Sequence, residues 1–292
     1  MISGVAVVDK EAGWTSHDVV AKARGILGQK KVGHSGTLDP DATGVLVLGV
    51  GKATRLLSYL TALPKSYVGE VVLGTETDTL DAAGTVTATH DMRHVTLADA
   101  RAAAEAFVGD IEQVPPMVSA VKIGGKRLHE LARAGETVER PPRPVTVHRL
   151  QLDELEPATA DRAMVLRVEV DCSSGTYIRT LADDLGHALG GGAHLRNLRR
   201  TAIGSFTLDE ARPLEAIEVL PPPVAMRDFP SVAVDDALAA RIANGAVLER
   251  SELGAVAAEG DGPWAVLSPA GELLAVYEGR DRERAKPAVV LT

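Results

Sequence analysis

The chain has a single cysteine, Cys172, among 292 residues. No internal disulfide can form, and the natural setting is expected to be a reducing cytoplasm. Long hydrophobic runs are lacking too. The most apolar stretch, Val45 to Val50, is far short of the roughly 20 residues that cross a bilayer. Met1 to Lys10 lacks a basic n-region, a long apolar core and a cleavage site, so no secretory signal is expected. No HExxH pair occurs and one cysteine excludes zinc-ribbon spacings, so no metal site is expected. Gly51-Lys52 resembles the end of a phosphate-binding P-loop. However, Leu46 stands where its first glycine is required and Ala53 where Ser or Thr is required. Internal repeats and low-complexity tracts are absent.

A basic excess is also missing. The net charge is −9, which taken whole argues against a nucleic-acid partner. Its distribution changes that reading. Leu208 to Thr292 carries 15 acidic and 8 basic residues, whereas the first 207 residues carry 25 and 23. Ser119 to Arg149 holds Lys122, Lys126, Arg127, Arg133, Arg140, Arg143 and Arg149 against Glu130, Glu136 and Glu139. Arg196, Arg199 and Arg200 form a second basic knot. These are solvated surface charges or RNA-facing ones, and charge alone does not choose.

Periodicity predicts an α+β chain. Asp18 to Leu27 reads as an amphipathic helix, with Thr15 and Asp18 spaced as a capping box. Thr96 to Val108 reads as a helix that Thr96 caps and Gly109 stops. Tyr67 to Leu73 and the alternating Met164 to Asp171 read as strands. A Ser173-Ser174-Gly175 turn follows, then a helical stripe of Ile178, Leu181, Leu185 and Leu189. Pro221-Pro222-Pro223 marks the best boundary. Beyond it come a short helix, Asp235 to Asn244, and strands at Trp264 to Leu267, Leu273 to Tyr277 and Ala288 to Leu291.

One loop invites a chemical reading. The segment from Gly33 to Arg55 reads GHSGTLDPDATGVLVLGVGKATR. Asp before Pro is ordinarily turn chemistry, because Asp bonds local backbone and Pro fixes extended geometry. Yet a polar loop with His34, Ser35, Thr37 and Asp39, followed by a buried apolar strand, can also present a carboxylate from a rigid base.

This segment resembles the catalytic motif of the TruB family, the bacterial tRNA pseudouridine-55 synthases. Four further stretches resemble the family in the same order: VVDKEAGWTSHDVV, KSYVGEVVLGTETDTLDAAG, PPMVSAVKIGGKRLHELARAGETVERPPRPV and CSSGTYIRTLADDLGHALGGGAHLRNLRR. Together they span nearly all of residues 5 to 205.

The resemblance implies a pseudouridine synthase fold, a mixed and mostly antiparallel sheet flanked by helices and loops. It implies a catalytic domain over residues 1–228, with an RNA-clamping insertion at about 119–149. Residues 229–292 resemble a PUA domain, a small β-barrel-like RNA-binding module, although their acidity argues against strong RNA contact there. The implied reaction breaks C1′–N1 of uridine 55 in the TΨC arm and remakes the bond to C5, with no cofactor. Asp39 aligns with the catalytic aspartate, nucleophile or base. Arg179 aligns with the arginine that pairs with it, and such a pair should keep the carboxylate ionised well below neutrality. Tyr67 aligns with the tyrosine that stacks on the extruded base and takes the C5 proton. Tyr177 and Leu198 align with the uracil pocket, and His34 with a histidine that helps expose the base.

The basic insertion, with Lys126 and Arg127 as RNA contacts and Gly124 and Gly125 as hinge points, would close over the tRNA elbow. Val118 stands where many relatives have an aromatic residue, so no binding role is taken from it. The implied enzyme is a cytoplasmic monomer with tRNA as partner, no membrane and no obligate protein partner. Two rivals remain. One is a tRNA-binding folding chaperone in which Asp39 is mere turn chemistry. The other is a guide-RNA-dependent relative, against which chain length and the absence of a Lys-rich tail argue.

Overall fold

A computed structural model describes residues 2–119, 122–123, 126–127 and 138–291. Lys126 and Arg127 are described as backbone only. Gly124, Gly125, Glu130, Arg133 and Glu136 lie outside the described residues. The hinge and contacts expected there have no structural description.

In chain order the strands of the first part are β1 (Gly4–Lys10), β2 (Val32–His34), β3 (Thr43–Val50), β4 (Lys65–Leu73), β5 (Thr75–Thr77), β6 (Val86–Thr89) and β7 (Gly109–Gln113). They continue with β8 (Lys122–Ile123), β9 (Lys126–Arg127), β10 (Arg143–Glu156), β11 (Val165–Cys172), β12 (Ala193–Ile203) and β13 (Phe206–Thr207). The main sheet runs β1-β3-β12-β4-β11-β10-β7, with β2 on β3 and β13 on β12. β5 with β6, and β8 with β9, form separate ribbons. Among the described residues of the main sheet only the β12–β3 pair is parallel; the others are antiparallel. The sheet is therefore mixed and mostly antiparallel.

Sequence explains where the layers lie. In β3, Val45, Leu46, Val47, Leu48 and Val50 are all fully buried, each contributing roughly 1.5–3 kcal/mol by leaving water. Both faces are covered, which is why the run does not alternate. β11 does alternate, with Leu166, Val168, Val170 and Cys172 buried. The parallel join of β3 to β12 depends on Gly44. Its φ is +101°, and a Cβ there would lie 2.1 Å from the carbonyl oxygen of Arg200. No other residue permits that approach.

The capped helices fall close to expectation. The first is Ser16–Ile26, starting two residues early because the Thr15–Asp18 box fixes its N-terminus. The second is Leu97–Ala104, with the Thr96–Asp99 box formed, and it tightens to a 3-10 turn at Glu105–Phe107 before Gly109 opens β7. A third, Ile178–Ala188, lays Ile178, Leu181 and Leu185 onto the sheet.

The C-terminal part is a five-stranded mixed sheet in the order β14 (Ser231–Ala233), β16 (Trp264–Leu267), β17 (Leu273–Gly279), β18 (Arg284–Val290), β15 (Leu248–Glu249). It curls around Trp264 and Tyr277, which are 1% and 0% exposed. The short β14 and β15 carry too few residues for a periodic signal, and β18 starts earlier than expected because Arg284 and Lys286 mask its apolar pattern. The prolines at 221–223 open a 3-10 turn, with Pro221 as its N-cap. The chain first runs back along β1 through bridges Val8–Arg212 and Val5–Leu220. One hydrophobic cluster then joins Val5, Val7, Val45 and Val47 to Ala265, Val276, Val289 and Leu291. The Tyr59 hydroxyl donates across the same seam to Glu278 Oε1 at 2.9 Å.

Candidate active site

Asp39 lies in the loop between β2 and β3, and buried groups grip that loop through its backbone. Leu38 N–H donates to Ser16 Oγ at 2.9 Å, and Ser16 Oγ donates to the Leu38 carbonyl at 3.2 Å. Lys10, at the end of β1 and 1% exposed, donates to the carbonyls of Glu11, Pro40 and Ala42 at 3.0, 2.9 and 2.6 Å. Arg200, also 1% exposed, donates to the carbonyls of Val45, Thr37 and Gly36 at 2.7, 3.4 and 3.3 Å. A buried cation is tolerable only when its donors are satisfied, and here main-chain oxygens satisfy them. Burial pushes the Lys10 ammonium down to about 8, with Asp39 and Asp41 pulling the other way.

The Asp39 carboxylate does not serve the turn. The turn closes through backbone, Ala42 N–H donating to the Asp39 carbonyl at 3.2 Å. The side chain instead meets Arg179, from the first turn of the Ile178–Ala188 helix. Nε is 3.0 Å from Oδ2, and Nη2 donates to Oδ1 at 3.3 Å, a two-pronged pair. Arg179 is 5% exposed, so it meets the carboxylate as a buried group and not as a surface charge. Its remaining donors reach the Thr79 carbonyl at 2.9 Å, the Val118 carbonyl at 2.8 Å and Asp81 Oδ2 at 3.4 Å.

Opposing influences act on the carboxyl. Burial is the largest influence on the Asp39 carboxyl and raises it above the ordinary aspartate range; Arg179 pulls it back and Asp81 adds to the rise. The side chain is 39% accessible and faces a half-open hollow, so protein surrounds a group that a small molecule can still touch. The pair with Arg179 therefore moderates an upward shift set by burial.

That hollow is a cavity of about 420 Å³, within the usual size of small-molecule sites. Asp39, Tyr67, Tyr177, Arg179 and Leu198 all line it. Tyr67 projects from β4; burial raises its hydroxyl, and the facing Arg200 opposes this. Tyr177 precedes the helix and is clamped by Gln113, whose Oε1 accepts Tyr177 N–H at 2.9 Å while its Nε2 donates to the Tyr177 carbonyl at 3.3 Å. Leu198 faces Gly69 on the neighbouring strand, where even a Cβ would sit 3.4 Å from its Cδ1. A second cavity of about 410 Å³ lies beyond the wall formed by Asp39, Arg179 and Leu198.

His34 is not in either lining. It stands at the shoulder of the loop, edge-on to His17 with ring centroids 5.2 Å apart, and its Nδ1 accepts Gly36 N–H at 3.3 Å. Burial lowers its imidazole, and His17 and Arg200 add to this. Lys10, Asp81 and Gln113 escaped sequence reasoning. A charged residue inside a strand end and an acid in a turn carry no local mark of burial.

The basic knot is corrected as well. Arg196 is paired with Glu70 at 2.5 Å and with Glu156. Arg199 grips Asp9 with both nitrogens at 2.8 and 3.1 Å, and Arg200 is the buried clamp already described. None of the three offers free charge to a ligand. Arg149 is likewise engaged, by Glu169 and Asp171 at 3.4 and 3.7 Å.

Comparison with known proteins decides the family. Residues 24–178 match the TruB family pseudouridylate synthase N-terminal domain, and 179–220 match the tRNA pseudouridylate synthase B C-terminal domain. The chain belongs to the TruB family. TruB relatives are similar over most of their length. The tRNA pseudouridine synthase B of Arthrobacter sp. is 47% identical over 94% of this chain and 92% of its own. That of Symbiobacterium thermophilum is 50% identical over 84% and 82%. Among solved structures, a Cbf5-Nop10-Gar1 complex is similar at a TM-score of 0.74 with 27% identity, covering 99% of this chain and 85% of that one. An H/ACA RNP bound to a substrate RNA containing 2′-deoxyuridine follows at 0.72 with 25% identity, covering 99% and 85%. The TruB assignment thus agrees with the pseudouridine synthase fold, and the curled C-terminal sheet is consistent with a PUA-like module.

Proposed function

We infer that the protein isomerises uridine 55 of tRNA to pseudouridine. The observation that carries this reading is the two-pronged Asp39–Arg179 pair opening into the cavity lined by Tyr67, Tyr177 and Leu198. The target uridine leaves its stack, at a cost of a few kcal/mol, and its base enters this cavity. Tyr67 and Tyr177 hold the base. Arg179 keeps the carboxylate ionised and aimed at the ribose. Asp39 then either attacks C1′ or removes a ribose proton to give a glycal, and the C1′–N1 bond breaks. The freed uracil stays in the cavity and turns so that C5 meets C1′. The C1′–C5 bond forms as the Asp39–C1′ bond breaks, or as the proton taken from C2′ returns to it; C5 then gives up its proton and N1 takes one up. No atom is gained or lost overall.

Tyr67 stays protonated at neutral pH, because burial disfavours its phenolate. Its service as a proton acceptor therefore leans on Arg200, whose charge favours the anion. Residues 1–228 would carry the chemistry and 229–292 a PUA-like RNA contact. The enzyme would act on tRNA alone, as a cytoplasmic monomer, with segment 119–149 closing over the RNA arm. Among the described residues no helix is long and apolar enough to cross a membrane. A pure RNA chaperone is disfavoured, since gripping a tRNA elbow needs no buried Asp–Arg pair beneath a base-sized cavity. The test is Asp39→Asn with tRNA transcript: pseudouridine should vanish while tRNA affinity stays within a fewfold. Normal pseudouridine yield from that variant would sink the reading.

A further inference from the structure

The described arginines and lysines are used differently. Arginines pair with acids throughout the molecule, as at Arg93–Asp91, Arg196–Glu70 and Arg199–Asp9. Lys10 and Lys65 are buried against carbonyls. Lys22, Lys30, Lys31 and Lys52 are exposed, and among the described residues none has an acidic partner.

Three of these, Lys30, Lys31 and Lys52, are brought together by the fold. Between Asp18 and Glu70 the only acids are Asp39 and Asp41, whereas the same stretch holds Lys22, Arg24, Lys30, Lys31, Lys52, Arg55 and Lys65. In a chain of net charge −9 that is a marked segregation. The fold keeps it together. Val32 pairs with Val50, the Gly51 N–H donates to the Lys31 carbonyl at 2.8 Å, and Arg24 Nη2 donates to the Val32 carbonyl at 2.9 Å. Lys30, Lys31, Arg24 and Lys52 thus gather at one end of β2. Lys22 projects from the exposed side of the Ser16–Ile26 helix. The bordering acids are Asp18, engaged in its capping box, and Glu215 and Glu218, on the segment packed against the helix's buried side.

The face leads to the cavity. At one end of the helix, Ser16 holds Leu38 and His17 meets His34 edge-on. From there the helix runs its 11 residues, roughly 16 Å at 1.5 Å per residue, to the lysine cluster. Arg55 then reaches the Val290 carbonyl of the C-terminal sheet. An RNA stem lying here would place its loop at Asp39. Lysine is a compact, mobile point charge suited to phosphates without fixed geometry, and such contacts set affinity and its salt dependence.

We propose that Lys30, Lys31 and Lys52 form the track for the phosphate backbone of the RNA duplex that delivers the target uridine to Asp39. This rests on the uridine-isomerase reading. The test uses full-length Lys30→Glu/Lys31→Glu and Lys52→Glu proteins. Affinity for a T-arm stem–loop should weaken about tenfold or more. The slope of log affinity against log salt should flatten by about one for each phosphate no longer gripped. The single-turnover rate at saturating RNA should hold. Affinity for the loop as a single strand should be unchanged. Unchanged stem–loop affinity and slope in both variants would overturn the track. So would equal losses for stem–loop and single strand. Failure of the isomerase reading is separate, because wild-type protein would then make no pseudouridine while the binding comparison still reports on the face.

Discussion

The Asp39 cleft and the C-terminal sheet use charge in opposite ways. In the cleft, Lys10, Arg179 and Arg200 are buried and aimed at main-chain oxygens or at a carboxylate that faces a hollow. In the C-terminal sheet, Arg241–Glu252 and Arg284–Asp281 lie on the surface over a core of Trp264 and Tyr277. The first arrangement holds a loop in one place at the expense of desolvation. The second leaves stability to apolar packing and lets its ion pairs come and go. Substitutions of like kind should therefore have unlike consequences in the two regions.

The largest effect should come from Asp39→Asn, with single-turnover pseudouridine formation lost by at least about a thousandfold. Its folding should not suffer. Asp39 holds its proton more tightly folded than unfolded, so its ionisation as pH rises through that raised value works against folding. The amide relieves this, and its melting temperature near neutrality should equal or exceed the wild type. A clear fall would mean that the carboxylate supports the fold. Next is Arg179→Lys, which removes the two-pronged grip and should slow chemistry by about a hundredfold. Arg179 is the main influence lowering Asp39. The acid limb of the rate profile should thus move to higher pH, and a limb that stays put would break the assigned pairing.

Tyr67→Phe keeps the ring and removes the hydroxyl. If the hydroxyl moves the C5 proton, the rate should fall about a hundredfold with tRNA affinity unchanged; a near-normal rate would restrict Tyr67 to stacking. Lys10→Met should leave the Pro40 and Ala42 carbonyls without their donor and lower stability by about 2 kcal/mol in denaturant titration. The smallest effect should be that of Arg241→Ala, within about 0.5 kcal/mol by the same titration. Equal losses from Lys10→Met and Arg241→Ala would erase the contrast between the two regions.

Much of the fold is legible in the residues because it is locally encoded. Both capping boxes, the β11 alternation and the Ile178 stripe are short-range patterns, and they form where they are written. The sheet order is not, since β12 joins β3 and β4 across about half the chain. In the site, Asp39 and Arg179 meet across 140 positions, and residues alone left Asp39 between turn and catalysis; the family likeness supplied the partner. The buried cations show the opposite failure. Arg200 in a run with Arg196 and Arg199 looks like surface charge, yet it is 1% exposed. Nothing in a basic residue's immediate neighbours announces that a distant loop will offer it carbonyls.

One hydrogen bond of Arg179 reaches further than the site. Its Nη2 serves both Asp39 Oδ1 and the carbonyl of Val118, where the chain enters segment 119–149. The Asp39 carboxylate and the stem of segment 119–149 thus share one nitrogen. A displacement of that stem changes the angle at which Asp39 is held. On the uridine-isomerase reading, the arginine would link the seating of RNA near Val118 to the alignment of Asp39, and an RNA that shifts Val118 would meet a carboxylate that is out of line.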